Sequence, residues 1–203
     1  MIGKIKKGRS FGGCIRYVTQ KDDAKIIASE GVLLGTAEEM AHSFRWQCLL
    51  NPDVAKPVGH IALSFKPEDA PRLTDAFMAS LAEEYLKLMG IRNTQFIVVR
   101  HHGTDNPHCH IVFNRVDFDG KVISDSNDFR RNERVTKMLK DKYSLTYSEG
   151  KQSVKTEKLH ASERVKYEIY RAVKEALRSA DTWKEFQNRL LKMGVEMEFK
   201  YKG

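Results

Sequence analysis

Hydrophobic and polar positions follow two periods along this chain. Residues 58–65 alternate with period two, setting His60, Ala62 and Ser64 against Ile61, Leu63 and Phe65, which predicts a half-buried strand. Residues 95–102 predict a second strand, Gly-Thr-Asp-Asn-Pro a turn, and the run from His108 a third, with Cys109, Ile111 and Phe113 on its packed side. Residues 1–6 predict a short strand, and 25–34 an extended segment. Helical spacing governs most of the rest. Ser10 caps a helix carrying Ile15, Tyr17 and Val18, and Thr36-Ala-Glu-Glu39 is a capping box opening a helix that ends near Leu50, before Asn51-Pro52. Residues 67–89 predict one long amphipathic helix closed by Gly90, and further helices are predicted at 127–142, 161–179 and 182–193. Residues 117–120 form a turn and 148–157 a polar linker. The alternating tail from Val195 predicts a last strand in need of a partner, either another sheet edge or, the favoured reading, a segment lost from a chain cut from a longer protein.

The chain has 203 residues, enough for one domain, or one domain and a small helical extension. Cys14, Cys48 and Cys109 are scattered without metal-finger spacing, which suits a reducing compartment and needs no disulfide scaffold. No apolar run nears the roughly 18 residues of a membrane span, and the N-terminus lacks the apolar core of a signal peptide, so a soluble cytoplasmic protein without membrane insertion is expected. The formal charge is +8, and its distribution matters more than its size. Residues 1–21 hold Lys4, Lys6, Lys7, Arg9, Arg16 and Lys21 and no acid; a second basic stretch includes Arg130, Arg131 and Arg134. Such stripes favour a polyanion, because phosphate contacts release condensed counterions.

The densest chemistry is His101-His102-Gly-Thr-Asp105-Asn-Pro-His108-Cys-His110. Residues i and i+2 of a strand share a face, so His108 and His110 can approach one cation together, and a third imidazole from the neighbouring strand would complete a three-histidine site. Parity leaves that third ligand open: a symmetric loop pairs His102 with His108, and a one-residue shift brings His101 there. A metal beside a basic surface suggests phosphodiester chemistry, attacked either by water or by a side chain. Tyr17 is the leading side-chain candidate, since it follows Arg16 on a short helix inside the most basic stretch. Tyr170, with Lys174 four residues on, is the rival, although it borders the apolar stripe Val165, Ile169, Val173, Ala176.

With Arg16-Tyr17-Val18 preceding Asp105-Asn-Pro-His108-Cys-His110-Ile-Val-Phe-Asn114-Arg115, the chain resembles the mobilization relaxases, tyrosine transesterases of the HUH endonuclease superfamily. The order, tyrosine first and histidines later, separates it from rolling-circle initiators and related transposases, which would require Tyr167 or Tyr170. The resemblance spans roughly residues 1–200 and implies His101, His108 and His110 as ligands of a divalent ion, Mg²⁺ or Mn²⁺, although three imidazoles suit softer ions equally well. Many relatives carry a carboxylate at the position of Gly103 and another histidine at that of Asn106. Asp105 and Asn114 are the residues expected to orient the imidazoles in this chain.

The resemblance further implies that Tyr17 attacks the scissile phosphate, assisted by Arg16, to leave a 5′-phosphotyrosine and a free 3′-hydroxyl. A free phenol, with a pKa near 10, needs such help to ionise at neutral pH. The implied partners are single-stranded DNA at a transfer origin, accessory mobilization proteins and a coupling protein. The expected fold is α/β (α+β, two-layer): a central antiparallel sheet with the histidines on one face, helices on the other, and a C-terminal helical lobe gripping DNA. Residues 1–150 would form the catalytic core and 151–203 the helices and terminal strand. A water-using metallonuclease and a non-catalytic DNA-binding module with a structural metal are the competing classes.

Overall fold

The structure, a computed structural model, describes residues 1–147 and 161–198. It divides into two compact units, Met1–Ser148 and Glu149–Gly203. The first is built on five strands: β1 (Ile2–Gly8), β2 (Ala24–Glu30), β3 (Val58–Ser64), β4 (Phe96–His101) and β5 (His108–Asn114). They lie in the order β1-β3-β5-β4-β2, and every neighbouring pair is antiparallel. The β4–β5 hairpin therefore sits inside the sheet, and the first two strands of the chain form its edges.

Strand parity sends the side chains to two cores. Ile61, Leu63, Val98, Cys109, Ile111 and Phe113 pack with helix α3 (Asp75–Leu88) and helix α4 (Asp128–Tyr143), through Met78, Leu81, Tyr85, Val135 and Leu139. Val58, Ile97, Val99 and Val112 pack the other way, against Phe11, Ile15 and Val18 of α1 (Phe11–Thr19) and Met40, Ala41 and Phe44 of α2 (Ala37–Cys48). The fully buried Cys109 is core, as its parity requires. Helices α1 and α2 start where their caps predict: Ser10 accepts from Gly13 N at 3.3 Å, and the Thr36–Glu39 capping box is complete. Burying these apolar faces, at roughly 25 cal/mol per Å², outweighs the weak propensity of short helices such as α1.

The expected sheet-and-helix architecture holds, with an addition. Helices also lie on the histidine face, where α1 and α2 cover only part of the sheet. The single long helix predicted over 67–89 is two pieces: a 3-10 turn at Pro67–Arg72, interrupted by Pro71, and then α3, whose N-cap Thr74 accepts from Phe77 N at 3.2 Å. A proline inside a helix removes a hydrogen bond and clashes with the preceding turn, so the chain restarts at the next good cap. Gly90 ends α3 at φ +74°, as expected.

In the second unit, α5 (Ala161–Ser179) and α6 (Trp183–Lys192) pack through Ala172, Ala176, Phe186 and Leu190. The strand predicted from Val195 does not form over the described residues 195–198; Val195 and Met197 instead pack on this small helical core. Residues 199–203 and the predicted linker at 148–157 lie outside the described residues.

Candidate metal centre and active site

The turn between β4 and β5 is one residue longer than the symmetric loop, and His101 pairs directly with His108. His101, His108 and His110 then share a face, and one ligand nitrogen from each lies within 4.8 Å of the others. His102 points to the reverse side, where its Nε2 lies 3.5 Å from Asp75. Asp75 also binds Lys25 and Arg100, at 2.7 and 2.8 Å.

Each imidazole is oriented from behind. His101 Nε2 lies 2.8 Å from the Val18 carbonyl, which can only accept, so Nε2 carries the proton and Nδ1 offers a lone pair. His108 Nδ1 lies 3.1 Å from the Asn106 carbonyl, which by the same logic leaves Nε2 as the lone pair, 3.2 Å from His101 Nδ1. That separation is what two nitrogens, each about 2.1 Å from one ion, would show. His110 Nδ1 meets His60 Nε2 at 3.0 Å, leaving its own Nε2 for the cluster. Burial lowers the pKa values of His60 and His108, and burial followed by His60, His101, His108 and Lys21 pulls His110 down to about 3. Neutral imidazoles are the form a metal requires. The donor set therefore fits a divalent ion.

Tyr17 stands beside the cluster. Its ring centroid is 5.8 Å from that of His110 and 6.0 Å from that of His60, in edge-on contact with both, and the residue is 62% exposed. Its helix is tied to the histidine cluster, because Val18, the next residue, supplies the carbonyl that orients His101.

The remaining residues singled out from the sequence divide in two. Lys4 and Lys6 project on the histidine side of β1, opposite Ala62 and His60, and Lys21 lies close enough to disfavour charge on His108 and His110. Arg9 is exposed. Arg16 is exposed and its side chain makes no ion pair or hydrogen bond among the described residues. Lys7 faces the other side, where it pairs with Asp128 at 2.5 Å and Asp125 at 3.1 Å, so it is not a free phosphate ligand. Arg131 donates to the Ser124 carbonyl at 2.7 Å. Arg130 and Arg134 are exposed on α4, a helix of the layer opposite the histidines. DNA on the histidine face would reach them only around the β1 edge.

Neither expected orienting residue touches an imidazole. Asp105 is exposed and makes no hydrogen bond among the described residues. Asn114 is fully buried four residues beyond His110, about 13 Å along the strand, and binds Phe44 O, Gln95 Oε1 and Val116 N. His60 is in contact with an imidazole instead, and Asp23 with the loop backbone between the histidines. His60 was visible in the alternation of β3 but carried no spacing signal. Asp23 accepts from Gly103 N at 2.5 Å and its carboxylate fills the space where a side chain at 103 would begin.

An antiparallel sheet presenting three converging imidazoles, with an exposed tyrosine at their side, defines an α/β protein whose histidine triad could hold a metal ion. Residues 17–145 match the relaxase family in its MobA/VirD2-like nuclease domain, more than half of the chain, and the chain belongs to that family. The family's activity is DNA nicking in mobilization, and it binds DNA. No curated protein matches the chain. No described helix is long and apolar enough to cross a membrane.

Proposed function

We propose that this protein nicks one DNA strand at a transfer origin by transesterification, with Tyr17 as the nucleophile. The observation that carries this is the contact of the exposed Tyr17 ring with His110, on a helix that also orients His101. In the reaction Tyr17 Oη bonds to phosphorus and gives up its proton, the bond from phosphorus to the 3′ oxygen breaks, and that oxygen takes a proton. The products are a 5′-phosphotyrosine and a free 3′-hydroxyl. One phosphodiester replaces another, so the reverse attack reseals the strand without an external energy source.

His101, His108 and His110 would hold Mg²⁺ or Mn²⁺. A bound divalent ion would withdraw charge from the non-bridging oxygens of the scissile phosphate and fix its orientation. Lys4, Lys6 and Lys21 border the open face and are placed to meet neighbouring phosphates. Residues 1–150 act as the catalytic core, and the helices within 151–203 as a DNA-gripping lobe. The protein works in the bacterial cytoplasm with accessory mobilization proteins and a coupling protein.

The test is incubation with labelled single-stranded transfer-origin oligonucleotides and Mn²⁺ or Mg²⁺, scored on a denaturing gel for label travelling with the protein. A metal-dependent adduct lost in Tyr17→Phe is the expected result. An adduct that persists there transfers the role to Tyr170 in the other unit, and free products without adduct assign attack to water.

A further inference from the structure

We propose that His60 is a positioning residue for the metal centre: by accepting the Nδ1 proton of His110, it holds the tautomer that aims His110 Nε2 into the cluster. This rests on the metal role of the three histidines proposed above.

The three ligands differ in what stands behind them. His101 is backed by a main-chain carbonyl, and His108 by the Asn106 carbonyl with the Thr104 hydroxyl equally near, neither of them a side-chain imidazole. His110 is backed by a side chain, the His60 imidazole, at 3.0 Å. Removing that ring leaves the other two ligands oriented and frees the third.

The sheet explains how His60 reaches it. Across the β3–β5 pairing, His110 faces Ala62, while His60 faces Val112. His60 is thus the diagonal neighbour of His110, at a separation that a long side chain can span. The two rings lie 5.1 Å apart between centroids, and the edge of Tyr17 rests against both. With His110 Nε2 given to a metal, its Nδ1 must carry the proton, so His60 Nε2 must be the acceptor and His60 Nδ1 the site of its own proton.

The experiment uses the full chain, with Mn²⁺ alone as the titrant, in wild type, His60→Ala and His60→Gln. Calorimetric affinity is paired with proton–nitrogen correlation spectra of the histidine rings in the metal-free protein, and circular dichroism checks folding. Wild type is expected to bind Mn²⁺ and to show His110 protonated at Nδ1. Loss of a ring that orients a ligand typically weakens metal affinity about 10–100-fold, so His60→Ala should fall in that range and populate both His110 tautomers. His60→Gln, whose amide oxygen is again an acceptor, should recover most of the affinity. A His60→Ala affinity within about twofold of wild type, a glutamine variant as weak as alanine, or a wild-type His110 protonated at Nε2 overturns the proposal. Wild type that binds no Mn²⁺ overturns it together with the metal role, an outcome distinct from the other three.

Discussion

Replacing Asn114 by alanine separates fold from chemistry. Asn114 belongs to the histidine motif in sequence, yet its amide donates to Gln95 Oε1 at 3.3 Å and Phe44 O at 3.0 Å and accepts from Val116 N at 3.1 Å. Val116 is fully buried, so its N–H has no solvent partner in the intact fold. Truncation orphans that donor and the Gln95 carbonyl oxygen, each at about 1–3 kcal/mol, for a loss near 3 kcal/mol. With a urea dependence of about 2 kcal/mol per molar, the unfolding midpoint should drop by about 1.5 M. The metal cluster is about 13 Å away along a rigid central strand, so Mn²⁺ affinity of the folded variant should change less than twofold. Urea titration by circular dichroism and calorimetric Mn²⁺ titration measure the two quantities on the same sample. An unchanged midpoint with affinity reduced tenfold would refute the argument and return Asn114 to the metal centre.

Three further outcomes follow from the same geometry. Lys4→Ala with Lys6→Ala should lower the salt dependence of single-stranded DNA binding by about 1.4 in log–log slope, at about 0.7 per lost phosphate contact, whereas Lys7→Ala should leave the slope alone and reduce stability by taking the cation from the buried Asp128, Asp125 keeping Arg115; equal slopes for both variants would contradict the side assignment. Gly103→Ala places a methyl 2.7 Å from the Asp23 carboxylate and must loosen the bond that clamps the hairpin loop, so Mn²⁺ affinity should fall several-fold in calorimetry, and no change would remove Asp23 from the site's supports. The contribution of His60, His108 and His110 to metal-free stability is complete above about pH 6.5, the unfolded histidine value, and should be lost as the pH drops below it. The cause is that His60, His108 and His110, the last with a pKa near 3, resist protons that the unfolded chain accepts. Urea midpoints that stay constant from pH 7.5 to 5 would refute this.

The fold was legible wherever the information is local. The alternation of β3 and β5, the Thr36 capping box and the glycine at 90 are each decided within a few residues, and each element stands where its pattern places it. The break in the 67–89 helix was legible as well, in Pro71 and in Thr74 three residues before Phe77, but the apolar stripe outweighed those signals. The candidate site was half legible. Shared parity brings His108 and His110 together, but the choice between His101 and His102 depends on loop register, which residue types do not dictate. Lys7 reads as a phosphate ligand until α4, more than a hundred residues later, delivers Asp128 to it. His60 is a single imidazole in an ordinary strand, and only the pairing of β3 with β5 reveals its neighbour. Asn114 errs the other way, because closeness along an extended strand is distance in space.

Helix α1 joins β1 to β2, and these are the two outer strands of the sheet. Four strand spacings of about 4.8 Å separate them, near 19 Å in all, so the tyrosine-bearing segment is anchored to opposite borders of the same sheet. Tension on a DNA strand joined to Tyr17 in the reaction proposed above would be shared between two ladders of hydrogen bonds rather than drawn from one. If that reaction holds, a DNA cargo could thus be pulled without dragging its attachment point away from the three imidazoles.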